Sequence, residues 1–179
     1  MWSVSHRAAT IAAAVALLAL WLVPGAGALQ LISPTGDPAI AGYQRWVDAA
    51  AVPTPPESLY VVLAACPVPI SDGCIVHETV PTVYLGPMVR DRATLLHEVG
   101  HAFDAAEMSD ADRAAFSAIF RDTRPWEAAP NAPKERFAEA YSLCARHPVL
   151  RAAYTAAYGY RVTPVQHRRV CALIRRAAG

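Results

Sequence analysis

The pentapeptide His97-Glu98-Val99-Gly100-His101 constrains this chain more than any other stretch, because its residues act together only if the segment around them is helical. The neighbours supply that helix. Asp91 is a suitable N-cap, and Leu95, Leu96, Val99 and Phe103 form an apolar stripe running to about residue 107. On such a helix two histidines four apart differ by about 40° around the axis and about 6 Å along it, so both imidazoles reach one metal ion. Neutral imidazole nitrogen is a preferred ligand of Zn²⁺. Glu98, beside the first histidine, is then placed to take a proton from a metal-activated water rather than to bind the metal. With six His and seven Glu in the chain, the H-E-x-x-H spacing would arise by accident on the order of 1% of the time.

A catalytic zinc usually takes three protein ligands and a water, so a third ligand must come from elsewhere. The metzincin continuation H-x-x-G-x-x-H would need Gly at 104 and His at 107, where this chain has Asp104 and Glu107. Glu107 points about 240° round the helix from His101. Asp104 shares the face of His97 but lies a turn too far along to join both histidines on one ion, which leaves it to support a ligand from behind or to form a salt bridge. The remaining candidates sit in Glu135-Arg136-Phe137-Ala138-Glu139-Ala140-Tyr141, a segment that starts 34 residues after His101 on a separate helix. Glu135 and Glu139 share a face there, so one can bind the metal while the other accepts the N–H of a ligand histidine. Phe137, Ala138, Tyr141 and Ser142 are left to pack that helix against the domain.

The pair of motifs resembles the gluzincin metallopeptidases, and the 135–141 stretch looks particularly like the ligand helix of the lethal-factor-like toxin peptidases. The resemblance covers the two helices. It implies Glu135 as the third zinc ligand, Glu139 as the residue orienting a histidine, Glu98 as general base, and a peptide or protein substrate. It also implies a zincin-like architecture with an edge strand just before the H-E-x-x-H helix, a place that 82–85 occupies in order, along which an extended peptide would bind. One part departs from the pattern. The toxin peptidases carry a Tyr shortly before the ligand helix, where this chain has Trp126, Glu127, Ala128 and Asn131. Tyr154, Tyr158 and His167 remain as candidate stabilisers of a developing oxyanion. The alternative is a secreted zinc- or peptide-binding domain with this fold and no turnover; Glu98 argues against it, since a purely structural metal site has no use for a base beside its ligand.

The rest of the chain predicts an α+β fold, a small N-terminal sheet followed by the H-E-x-x-H helix and a mainly helical C-terminal half. Periodicity places a helix over 38–51, strands over 58–65, 74–78 and 82–85, and helices over 91–107, 109–121, 134–146, 148–158 and 164–178. Residues 1–28 read as a secretory signal peptide: His6 and Arg7, an apolar run over 8–23, then Ala26-x-Ala28 as cleavage site. A single domain over 29–179, secreted and free of the membrane after cleavage, is the expectation. All four cysteines fall in it, none as C-x-x-C, and the pairs Cys66–Cys74 and Cys144–Cys171 are preferred. Without Arg7 the chain has 15 basic and 15 acidic residues, a balance that gives no electrostatic reason to expect nucleic acid. His77-Glu78 has Pro81 rather than His four positions on and reads as part of a strand, while Arg168, Arg169, Arg175 and Arg176 read as a solvated helix face.

Overall fold

The computed structural model describes residues 29–68, 73–129 and 131–179. The leader and its cleavage site lie outside them. Short alternating strands lead the chain: β1 (Leu31–Ile32), then α1 (Ile40–Asp48), β2 (Leu59–Val62), β3 (Gly73–Val76) and β4 (Thr82–Leu85). Leu59, Val61, Val83 and Leu85 are buried at alternate positions, the period-two pattern of a sheet with a covered face. The sheet order is β1-β2-β4-β3, with β1, β2 and β4 parallel and β3 antiparallel to β4. The expectation that 82–85 is an edge strand is therefore corrected: β4 is paired on both sides, and β3 takes the edge. The two-residue β1 was not anticipated, because Gln44 on α1 completes it through tertiary contact, accepting from the Leu31 N–H at 2.7 Å and donating to the Leu29 carbonyl at 3.0 Å.

Helices follow the sheet: α2 (Arg92–Glu107), α3 (Asp110–Phe120), α4 (Pro133–Arg146) and α5 (Pro164–Ala177). Local chemistry sets their starts. The Asp91 carboxylate accepts from the Ala93 and Thr94 N–H groups, Ser109 and Asp112 form a capping box, and Thr163 and Gln166 form another before Pro164. The α2 and α4 helices make the most extensive helix pair, and Gly100 is the reason they approach so closely. A Cβ at Gly100 would lie 2.9 Å from the Ala138 Cα and 3.0 Å from the Tyr141 Cβ. Leu95, Leu96, Val99 and Phe103 are fully buried there, with the Phe103 ring 5.2 Å from that of Tyr141. Arg168, Arg169, Arg175 and Arg176 lie on the exposed face of α5.

The helix expected over 148–158 does not form. In its place is a hairpin, β5 (Tyr154–Thr155) and β6 (Arg161–Val162), joined through a 3₁₀ turn over Ala157–Gly159. The run is rich in alanine but offers no continuous apolar stripe to bury, and Tyr160 and Val162 enter the core from the hairpin instead. Tyr158 (φ 52°) and Gly159 (φ 66°) both take the left-handed conformation. For a bulky side chain such as Tyr158 this conformation costs about 1–2 kcal/mol. Both preferred disulfides are present, Cys66–Cys74 with Cα atoms 5.7 Å apart and Cys144–Cys171 with 5.6 Å, the latter tying α4 to α5. Such pairs fit an oxidising environment. Among the described residues no helix is long and apolar enough to cross a membrane.

Candidate metal centre

The crossing of α2 over α4 brings His97, His101 and Glu135 together, with one ligand atom from each lying within 4.8 Å of the others. The Glu135 Oε2 atom lies 3.4 Å from His97 Nε2 and 3.2 Å from His101 Nε2. Two zinc–ligand bonds of about 2.0–2.1 Å at a tetrahedral angle would separate their ligand atoms by about 3.3–3.4 Å. The donor set, two imidazole nitrogens and a carboxylate oxygen, suits Zn²⁺ as well. His97 is oriented from behind: its Nδ1–H donates to Glu139 Oε2 at 3.0 Å, which leaves Nε2 facing the triad. Glu135 and Glu139, one turn apart on α4, thus meet different atoms, Glu135 the Nε2 atoms of both histidines and Glu139 the Nδ1 of His97.

The electrostatics follow from this packing. Burial alone would lower the His97 pKa, but hydrogen bonds to Glu135 and Glu139 and the charge of Glu98 outweigh it and push it up to about 9 in the metal-free protein. Burial would raise Glu135, yet its hydrogen bonds to His101 and His97 hold it well below the usual carboxylate range. Glu98 is 5% exposed. Its pKa is raised, chiefly by burial, against the pull of His97 and His101 and with the push of Glu135. A carboxylate held neutral more readily than its neighbours is a better proton acceptor near neutral pH.

Asp104 takes the salt-bridge alternative. Its carboxylate accepts from Arg113 Nε at 2.8 Å and from Trp126 Nε1 at 2.8 Å, joining α2 to α3 and to the loop before α4. The oxyanion candidates separate in the same way. His167 is fully buried, within 2.6 Å of the His147 carbonyl through Nε2 and against the Cys144–Cys171 disulfide. Cys144, His167 and Cys171 form a second group spaced for a metal ion, but both sulfurs are joined to each other. Tyr154 packs against the core from β5. Only Tyr158 lies at the triad, its ring stacked on that of His97 with centroids 5.1 Å apart.

Glu98 and the triad open into a cleft of about 440 Å³ whose walls include Gly73, Ile75 and His77, together with Lys134 and Tyr158. A somewhat larger hollow of about 550 Å³, bordered by Leu29, Val47 and Ala178, contains none of the candidate ligands. Sequence reasoning missed the wall formed by β3. Gly73 stands close enough to Glu98 that a Cβ there would lie 3.6 Å from Oε1. The signal was present in the short 66–74 disulfide loop, which ties β3 to the segment that follows β2. His77, exposed just past the end of β3, reaches the cleft without any motif to announce it. No family model matches the chain, and neither a curated protein nor a solved structure is similar enough to count as a match.

Proposed function

We propose that this chain is a secreted zinc-dependent metallopeptidase of the gluzincin type, related in its ligand helix to the lethal-factor-like toxin peptidases. The reading is carried by Glu98: a buried carboxylate with a raised pKa, beside two histidines and facing a cleft, fits a proton-transfer role that a structural metal site does not need. His97, His101 and Glu135 would hold the ion, and Glu139 fixes the tautomer of His97. Bound zinc would supply Lewis acidity, polarising the scissile carbonyl and lowering the pKa of the attacking water. Glu98 takes the proton of that water as its oxygen adds to the carbonyl carbon. It returns the proton to the amine as the C–N bond breaks, and the remaining water proton passes from the new carboxylic acid to that amine, so that one peptide and one water give a carboxylate and an ammonium group. The end strand of the sheet, β3, which shares the cleft with Glu98, would receive the substrate backbone as an added strand.

The test uses the chain from Leu29. Metal analysis is expected to find about one zinc per chain. Glu98→Gln should keep that zinc and lose cleavage of an unfolded protein substrate, whereas Glu135→Ala should lose the zinc. Zinc lost from Glu98→Gln but kept by Glu135→Ala would overturn the roles. A zinc-loaded parent that cleaves nothing in a broad peptide library would instead support a non-catalytic binding domain.

A further inference from the structure

Resting on that reading, we infer that Tyr158, from the β5–β6 turn behind the ligand helix, supplies the hydrogen bond that stabilises the oxyanion during peptide-bond cleavage. Three independent observations converge on it. Tyr158 lines the cleft that holds His97, Glu98, His101 and Glu135. Its ring lies nearly parallel to the His97 imidazole, with an interplanar angle of 25° and centroids 5.1 Å apart, which sets the phenol beside the triad. Its backbone is held at φ 52°, ψ 24° inside a turn closed by the Ala156 N–H to Tyr160 carbonyl bond at 2.9 Å. A bulky residue in that conformation persists only where the surroundings enforce it, and such strain concentrates where a side chain must be aimed.

The other hydroxyls near this end of the molecule do not compete. Tyr160 is fully buried, Tyr141 donates to the Pro53 carbonyl at 2.8 Å, and Tyr154 lies on β5 away from the cleft lining. Tyr158 keeps its proton throughout: when the water oxygen bonds to the carbonyl carbon, the π pair moves onto the carbonyl oxygen, and the phenol O–H donates to it. The water proton resides on Glu98 meanwhile. A donor that meets the oxygen only after it has become negative stabilises the transition state more than the ground state. Because it arrives from the segment following α4, it occupies this role without a Tyr before the ligand helix.

Tyr158→Phe keeps the stacked ring and the turn and removes only the hydroxyl. On the zinc-loaded chain from Leu29, kcat on an unfolded protein substrate should fall about a hundredfold with KM little changed. Affinity for N-phosphoryl-Leu-Ala, whose tetrahedral anionic group imitates the oxyanion, should fall by a similar factor in calorimetry. Zinc content and melting temperature should match the parent, and Tyr154→Phe should alter none of the five quantities. A Tyr158→Phe protein that cleaves and binds the probe like the parent overturns the assignment and leaves the peptidase reading standing. A zinc-loaded parent that cleaves nothing but loses probe affinity on Tyr158→Phe sinks the peptidase reading while retaining Tyr158 as the anion donor. A parent that neither cleaves the substrate nor binds the probe removes both.

Discussion

His97 must change its protonation state to act as a ligand. In the metal-free protein it is pushed up to about 9, so at pH 7 it carries a proton that zinc has to displace. Calorimetry in buffers of different ionisation enthalpy should therefore register about one proton released per zinc at pH 7, and apparent affinity should rise as pH approaches 9. The same shift has a stability consequence with a definite sign. Its folded value lies above the ordinary histidine value of 6.5, so its contribution is complete below that pH and is lost as pH rises through about 9. The melting temperature of the chelator-treated protein should fall across that window. Glu139→Ala should lower zinc affinity about 10- to 100-fold while the fold persists, as read by competition with a chromogenic chelator. At this scale the helical period made His97, Glu98 and His101 legible, because their relation is local. The assignment of Glu135 over Glu139 came only with a family resemblance. Asp104 could not be resolved at all, since its partners Arg113 and Trp126 arrive through tertiary packing.

Elements place these residues, and the closest approach between them is the most sensitive point. Gly100 sits where α2 meets the backbone of α4 at Ala138, and a methyl group there has no flexible neighbour to displace. Gly100→Ala should force the helices apart, destabilise the domain by about 1–3 kcal/mol in urea unfolding, and weaken zinc binding by moving Glu135 away from the two histidines. Starts of helices could be read from sequence because caps such as Asp91 and Ser109 with Asp112 act within one turn. Strand order could not. That β4 is internal and β3 marginal depends on which strands meet across dozens of residues, and no side-chain pattern in four-residue strands encodes it. The 148–158 segment misled for a different reason: helix propensity favours its alanines, but the left-handed pair Tyr158 and Gly159 and the burial of Tyr160 override it.

Across the whole molecule, the α+β division into a leading sheet and trailing helices follows from where the hydrophobic period changes, and it was legible for that reason. Its covalent ties differ in what they secure. Cys144–Cys171 closes the longer loop, a sequence separation of 27 against 8 for Cys66–Cys74. Chain-entropy arguments give it about 3.5 kcal/mol against about 2.5 kcal/mol. Replacing both members of the longer pair by Ser should lower the melting temperature more. Replacing both members of the shorter pair should have its larger effect on the cleft wall, visible as faster hydrogen exchange in β3, because Cys74 lies within that strand. Circular dichroism melts and exchange mass spectrometry on the two double variants separate these outcomes.

An unpaired strand rim is a template for any extended chain, including misfolded copies of its own kind, and so a seed for fibrils. Here the end strand of the sheet, β3, is four residues long among the described residues and pinned by a disulfide. So short a rim gives a fibril little to grow on and recognises backbone over only a few residues. Selectivity among peptides then has to come from the hollows flanking it, such as the surroundings of His77 and Lys134, rather than from the length of the strand itself.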